Sequence, residues 1–305
     1  MKFPVYQRMA VIGCGLIGSS VARAARATGA VAEVVVYDAD PQVRARALEL
    51  GFAESAEDEA AKAVAGADLV VLATPVGVIG EVATALAPAL ALGATLTDVG
   101  SCKAVVADAF ARLGRDDIHG IPGHPVAGTE KSGPDAGFAE LFHNRWVILC
   151  PPAGGDLAAL ETLTAFWTRM GAKVEAMDAT HHDLVLAVTS HLPHLIAYNI
   201  VGTAADMETV TQAEVMKFSA GGFRDFTRIA ASDPTMWRDI FLNNKGAVLE
   251  ILARFTEDLA MLSRAIRWDE GDKLHDLFTR TRDIRRGVIA AGQETAEPNF
   301  GRDKR

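Results

Sequence analysis

The sequence is poor in cysteine. Cys14, Cys102 and Cys150 are the only three, far apart, odd in number and without a C-x-x-C pair. That excludes a disulfide scaffold and leads us to expect a reducing, cytoplasmic location. Clean apolar runs of the ~20 residues that a membrane span needs are missing as well. Stretches 85–96 and 185–201 are interrupted, the first by Pro88 and the second by Ser190, His191, Pro193 and His194. The first twenty residues hold a short, glycine-rich apolar run rather than the layout of a signal peptide. Positive charge is also in deficit. Thirty Lys and Arg face 39 Asp and Glu, a formal net charge of −9. An acidic chain gains nothing from counterion release, so neither nucleic acid nor a membrane surface is an expected partner. A local basic pocket for an anionic metabolite stays open. Internal repeats and low-complexity linkers are absent too.

What the chain does have is length and apolar content: 305 residues, half of them hydrophobic, enough for one large or two ordinary domains. In the first half, β-rich runs alternate with helical stretches. MAVIGCG, EVVVYDAD, DLVVLATP, TLTDVGS, RWVILCPP and AKVEAM read as strands. PQVRARALELG reads as a helix with Pro41 at its start and Gly51 at its end, the usual asymmetry of helix termini. Continuous apolar strands alternating with helices indicate a parallel sheet covered on both faces. After about residue 178 the period becomes helical throughout. Ile240, Phe241, Val248, Leu249, Ile251, Leu252, Phe255, Leu259 and Leu262 form a stripe suited to a helix core, too apolar to stand alone. We expect an α/β, Rossmann-type doubly wound, mostly parallel sheet over 1–177. An all-helical domain over 178–305 should follow, its tail frayed from about residue 293.

Gly13, Gly15 and Gly18 form G-x-G-x-x-G between a predicted strand and a predicted helix, with Leu16 and Ile17 inside the turn. The first glycine allows the tight turn, the second lets a pyrophosphate approach, and the third brings the helix close to the strand. Twenty residues after Gly18 the second strand ends at Asp38, placed to bind adenosine ribose hydroxyls. A carboxylate there repels a 2′-phosphate, so NAD is expected over NADP, although Arg44 and Arg46 follow closely. The structural alternative for Asp38 and Asp40 is capping of the helix at Pro41.

Three further segments set polar groups in small or apolar surroundings. They are 97–103 (TDVGSCK), the Gly/Pro-rich loop 120–133 around His124, and Ser190-His191-Leu192-Pro193-His194. A glycine pair, Gly221-Gly222, precedes Arg224 and Arg228. These segments, with A-T-P at 73–75, G-H-P-x-A-G-T-E at 123–130 and D-P-x-M-W-R-D-I-F-x-N-N at 233–244, resemble the prephenate/arogenate dehydrogenase family over nearly the whole chain.

The resemblance implies oxidative decarboxylation of prephenate, arogenate or both, with hydride passing to NAD and the ring becoming aromatic, in tyrosine biosynthesis. By the same resemblance His124 looks like the catalytic histidine that takes the C4 hydroxyl proton, which requires a neutral imidazole. Ser101 is similar to the serine that orients it. Arg224 is similar to the arginine that binds the side-chain carboxylate. Ser190, His191 and His194 would face substrate or nicotinamide, and Thr74 and Pro75 would line the cofactor. A homodimer through the helical domain is the family expectation, and with no fused mutase or effector domain evident, any tyrosine inhibition should compete at the active site.

Each residue also has a plainer role to be weighed: His124 filling a turn, Ser101 capping a helix near Lys103, Arg224 pairing with Asp225, Arg228 on a helix surface. His181, His182, Asp183, His191 and His194 show no H-E-x-x-H and no cysteine ligand, so no metal is expected, and His182-Asp183 reads as a helix start. Two other functions compete. One is a different NAD(P)-dependent hydroxyacid dehydrogenase, which would rely on a lysine where this chain offers a G-H-P histidine. The other is a non-catalytic NAD-binding redox sensor, which leaves Ser101, His124 and Arg224 without purpose.

Overall fold

The computed structural model describes residues 3–129, 131–206, 214 and 220–290. Glu130 and the tail expected from about residue 293 lie outside the described residues. By its packing the chain divides into two compact units, the break falling between Val248 and Leu249.

The first unit is organised by a six-stranded parallel sheet. Its strands are β1 (Tyr6–Ile12), β2 (Val31–Tyr37), β3 (Ser55–Ala56), β4 (Leu69–Leu72), β5 (Thr95–Asp98) and β6 (His119–Gly120), in the order β3-β2-β1-β4-β5-β6. That order reverses at β1/β4, the switch point at which open α/β sheets hold ligands beyond the strands' carboxyl ends. Alternation along each strand explains why both faces are covered. Met9 and Val11 of β1, Val34 and Val36 of β2, and Leu69 and Val71 of β4 join one apolar cluster. Ala10, Ile12, Val35, Val70 and Leu72 join the other. Successive side chains point to opposite faces, so an unbroken apolar run serves two cores.

Helices α1 (Leu16–Ala27), α2 (Pro41–Glu49), α3 (Ala60–Val64), α4 (Ile79–Leu86) and α5 (Ala104–Ala111) connect these strands. Asp40 caps α2 by accepting from the Gln42 N–H at 2.8 Å, a contact that contributes about 1 kcal/mol. A second sheet orders β7 (Gly123–Pro125), β8 (Trp146–Leu149) and β9 (Lys173–Ala176), with β7 antiparallel and β9 parallel to β8. Here the structure differs from the sequence reading. The segment around His124 is a strand and not a loop, because β8 supplies an open edge against which His124 registers with Ile148. Helix α6 (Leu157–Arg169) covers this region with fully buried Phe166 and Trp167.

Beyond β9 every described element is helical. Helix α7 (Ala179–Leu186) passes through a π-helical turn, Ala187–His191, into α8 (Leu192–Asp206). The wider turn falls just before Pro193, whose missing N–H would otherwise break the ladder. By length and composition 179–206 is the one described helix that qualifies to cross a membrane. Its buried His182, Asp183 and His191 are hydrogen-bonded within the first unit. After it come α9 (Gly221–Thr227), α10 (Pro234–Asn243) and α11 (Lys245–Arg267), the last of which carries the break between units. The second unit continues into α12 (Gly271–Ala290).

Candidate active site

The glycine turn leaves the end of β1 and enters α1. Gly13 sits at φ +98°, and a Cβ there would lie 2.6 Å from the Ala73 carbonyl oxygen. A Cβ on Gly18 would lie 2.0 Å from the Gly13 oxygen, whereas one on Gly15 would meet nothing within 4 Å. Two glycines thus permit close packing, and the middle one leaves space over the turn. Helix α1 begins with Gly15 as its N-cap and with no side-chain cap, so its first N–H groups and its dipole stay available to an anion. Leu16 and Ile17 are half-buried at that terminus. Thr74, half-buried beside exposed Pro75, has a buried hydroxyl without a partner. Asp38 follows β2, and its carboxylate accepts from the N–H of Cys14 at 2.8 Å and of Asp40 at 3.0 Å. Arg44 donates to the Asp38 carbonyl at 2.7 Å, and Arg46 is drawn to Asp135 and Glu49. Open space at Gly15, an uncapped helix terminus, an unpartnered Thr74 hydroxyl and a carboxylate at the end of β2 fit a dinucleotide.

The second cluster is assembled around the end of β5. Asp98 and Lys103 are both fully buried and form an ion pair. Lys103 Nζ also donates to the Gly123 carbonyl at 2.8 Å, while Asp98 accepts from the N–H of Gly123 at 3.0 Å and of Gly100 at 2.8 Å. The pair therefore straps β7, and with it His124, to the end of β5. Burial pushes the Asp98 carboxyl up, and Lys103 with the two N–H groups pulls it back. Removing one member of such a pair strands a buried charge and costs about 3–5 kcal/mol.

His124 is 7% exposed. Its Nδ1 lies 2.8 Å from His182 Nε2, and His182 Nδ1 lies 2.8 Å from Asp183 Oδ1. Asp183 accepts from the N–H groups of Lys103 at 2.7 Å and Ala104 at 2.9 Å, at the start of α5. Burial holds the His124 imidazole well below its ordinary range, reinforced by His182, Lys103 and His191. Burial likewise lowers His182, with Asp183 pulling it back.

His191 is pushed down to about 4, chiefly by burial. Its Nδ1 lies 3.1 Å from Asn244 Nδ2, which also donates to the Asp183 carbonyl at 2.8 Å. His191 Nε2 is buried without a partner. His194 stacks on Trp237 with centroids 3.7 Å apart and donates from Nδ1 to the Ser190 carbonyl at 2.8 Å. Burial lowers His194, and the nearby charge of Arg228 adds to this.

The structure thus brings His124 and His191 together with His182, Asp183 and Asn244, and it sets His194 beside His191 against Trp237. Ser101 is half-buried in the turn after β5, and its hydroxyl makes no hydrogen bond among the described residues. Ser190 contributes its carbonyl. Arg224 is exposed and donates to Asp225 at 3.3 Å, the plainer role weighed above. No hydrogen bond or ion pair joins it to the histidines among the described residues. The sequence places Asp98, Lys103 and Asn244 within motif segments and His182-Asp183 at a helix start, but assigns none of the five a role in the site. One signal was available: 183, 187 and 191 recur at helical spacing, and all three are buried.

A doubly wound sheet, a glycine turn under a helix terminus and a buried neutral histidine beyond the strand ends together define a nicotinamide-dependent oxidoreductase. Comparison narrows the class. Residues 21–176 match the family model for the prephenate dehydrogenase nucleotide-binding domain, and 178–280 that for its dimerization domain. The chain belongs to the prephenate dehydrogenase family. It is 43% identical over 284 residues to a cyclohexadienyl dehydrogenase of Zymomonas mobilis, covering 92% of this chain and 96% of that one. Against a Bacillus subtilis prephenate dehydrogenase the identity is 33% over 293 residues, covering 94% and 77%. The crystal structure of A. aeolicus prephenate dehydrogenase in complex with hydroxyphenyl propionate and NAD+ superposes with a TM-score of 0.85 at 34% identity, covering 92% and 98%.

Proposed function

We propose that this protein carries out the NAD-dependent oxidative decarboxylation of prephenate, arogenate or both, with His124 as the proton acceptor. The observation that carries the reading is a buried imidazole held neutral beyond the sheet's carboxyl ends, in a chain of this family. NAD, when bound, supplies the hydride acceptor at its nicotinamide ring. His124 takes the C4 hydroxyl proton as hydride leaves the same carbon. Loss of the ring carboxylate as CO2 sends its bonding electron pair into the ring. The oxygen that becomes phenolic then recovers a proton from His124, so the imidazole ends neutral. Aromatisation drives the step, and positioning is what the protein adds.

In this reading Gly13, Gly15, Leu16, Ile17, Gly18, Asp38, Thr74 and Pro75 hold the dinucleotide. Ser101 orients the reacting hydroxyl and His124. Ser190, His191 and His194 face the substrate, and the buried, unpartnered Nε2 of His191 supports that role. Arg224 is assigned to the substrate's side-chain carboxylate on its motif, swinging from Asp225 to do so. Residues 1–177 serve as the cofactor domain and 178–305 as the substrate and dimerisation domain. A homodimer is supported by apolar side chains left exposed on α11 and α12 and in the turn between them, among them Met261, Ile266, Trp268, Phe278 and Ile284. The buried, free thiols of Cys14, Cys102 and Cys150 support a reducing, cytoplasmic location.

Initial-rate kinetics with prephenate and arogenate, each with NAD and NADP, test the proposal, with a 3-hydroxy acid as control. NAD reduction with CO2 release on at least one cyclohexadienyl acid is expected. Turnover of the hydroxy acid alone would overturn it.

A further inference from the structure

Resting on that function, we propose that His182 and Asp183 are positioning residues that set the ring tautomer of His124, presenting a bare Nε2 to the substrate. Asp183 cannot donate while its carboxylate is ionised, and its two oxygens already accept from the backbone of Lys103 and Ala104. The 2.8 Å contact to His182 Nδ1 therefore requires a proton on that nitrogen. With His182 neutral, its Nε2 carries a lone pair. The 2.8 Å contact to His124 then requires the proton on His124 Nδ1. Only the other nitrogen, Nε2, is left as a base. In water a free imidazole can carry its proton on either nitrogen, and the wrong choice presents a donor where an acceptor is needed.

The chain is anchored at both ends. Asp183 bridges the first N–H groups of α5, and His124 lies on a strand strapped by Lys103 and Asp98. Asn244 holds the backbone of Asp183 from a third side. The arrangement parallels the carboxylate that orients the base histidine of a serine protease, with a second imidazole inserted between them. When His124 takes up the substrate proton, its Nδ1–H already points along a chain that ends in a carboxylate, so the transient positive charge is stabilised without rearrangement.

Two substitutions at one position separate positioning from support of the fold. In His182→Asn the side-chain amide occupies the place of Nδ1 and still donates to Asp183, but it does not reach His124. In His182→Gln the amide oxygen occupies the place of Nε2 and accepts from His124 Nδ1–H. We expect His182→Asn to lower kcat by roughly 10²-fold with NAD affinity unchanged, and His182→Gln to recover about tenfold of that loss. Nitrogen NMR of histidine-labelled enzyme without substrate, assigned with His124→Asn, should show Nδ1 protonated and Nε2 bare in the parent protein. In His182→Asn the opposite tautomer of His124 should appear. Equal kcat for the Asn and Gln variants, or a parent His124 protonated on Nε2, would overturn the proposal. Because the spectrum needs no substrate, it stands apart from any failure of the parent enzyme to turn over prephenate or arogenate.

Discussion

The glycine turn is assembled from residues 12–18 and one carboxylate twenty positions on, whereas the histidine cluster draws on Asp98, Lys103, His124, His182, Asp183, His191 and Asn244. The turn works by what is missing, since a Cβ at Gly13 or Gly18 would collide with backbone. The cluster works by hydrogen bonds drawn from distant parts of the chain, with His191 Nε2 left over as a buried atom without a partner. Local sterics therefore shape the turn proposed for the cofactor, and long-range hydrogen bonding sets the surroundings of His124. The two regions should fail in different ways.

The largest expected effect is at His124. His124→Asn should lower kcat by about 10²–10⁴-fold while the NAD dissociation constant, measured by fluorescence titration, hardly moves. A modest loss of kcat would remove the proton-acceptor role.

A change of pH should strike the cluster and spare the turn. His124, His182, His191 and His194 are all held below the ordinary imidazole value by burial. As pH falls through about 6.5 the unfolded chain therefore binds protons that the folded protein refuses. Stability from these groups is complete above that value and declines below it, the His191 contribution continuing to fall until about 4. Thermal melts between pH 7.5 and 4.5 should show this fall, worth about 1.4 kcal/mol per pKa unit for each histidine. A melting temperature flat across that range would contradict the burial argument.

Within the turn, Gly18→Ala and Gly15→Ala sharpen the contrast. The first inserts a methyl 2.0 Å from a backbone oxygen and should cost about 3 kcal/mol of stability. The second meets no protein atom within 4 Å, so the melting temperature should hold while NAD binding weakens. Equal destabilisation by both would mean that the space above Gly15 is not kept for a ligand. Smallest is Asp38→Ala. The carboxylate already holds the N–H groups of Cys14 and Asp40, so its loss should shift NADP/NAD preference by about tenfold, one charged hydrogen bond's worth. An unchanged ratio of kcat/KM values would remove the ribose contact.

Much of this arrangement is legible in the sequence. Unbroken apolar runs such as 69–72 announced strands buried on both faces. The pairing of Asp40 with Pro41 announced a capped helix, and it forms as expected. Gly13, Gly15 and Gly18 were readable because a turn's sterics depend on neighbours in the chain. The G-H-P setting marks out His124, yet nothing in the sequence marks its strand, because β7 exists only when β8 lies beside it. His182 and Asp183 read only as a helix start, because nothing nearby in sequence reveals that their partners stand about sixty and eighty residues earlier.

Sequence by itself determined the alternation of strand and helix, the two-faced sheet and the glycine turn, because these follow from periodicity and from the presence or absence of a Cβ over a few residues. Only the tertiary structure decided which polar side chains are buried, which nitrogen of His124 is left bare, and that Arg224 rests on Asp225. Protonation and hydrogen bonding inside a protein are set by whatever the fold brings within 3 Å, and that proximity is not a local property of the chain.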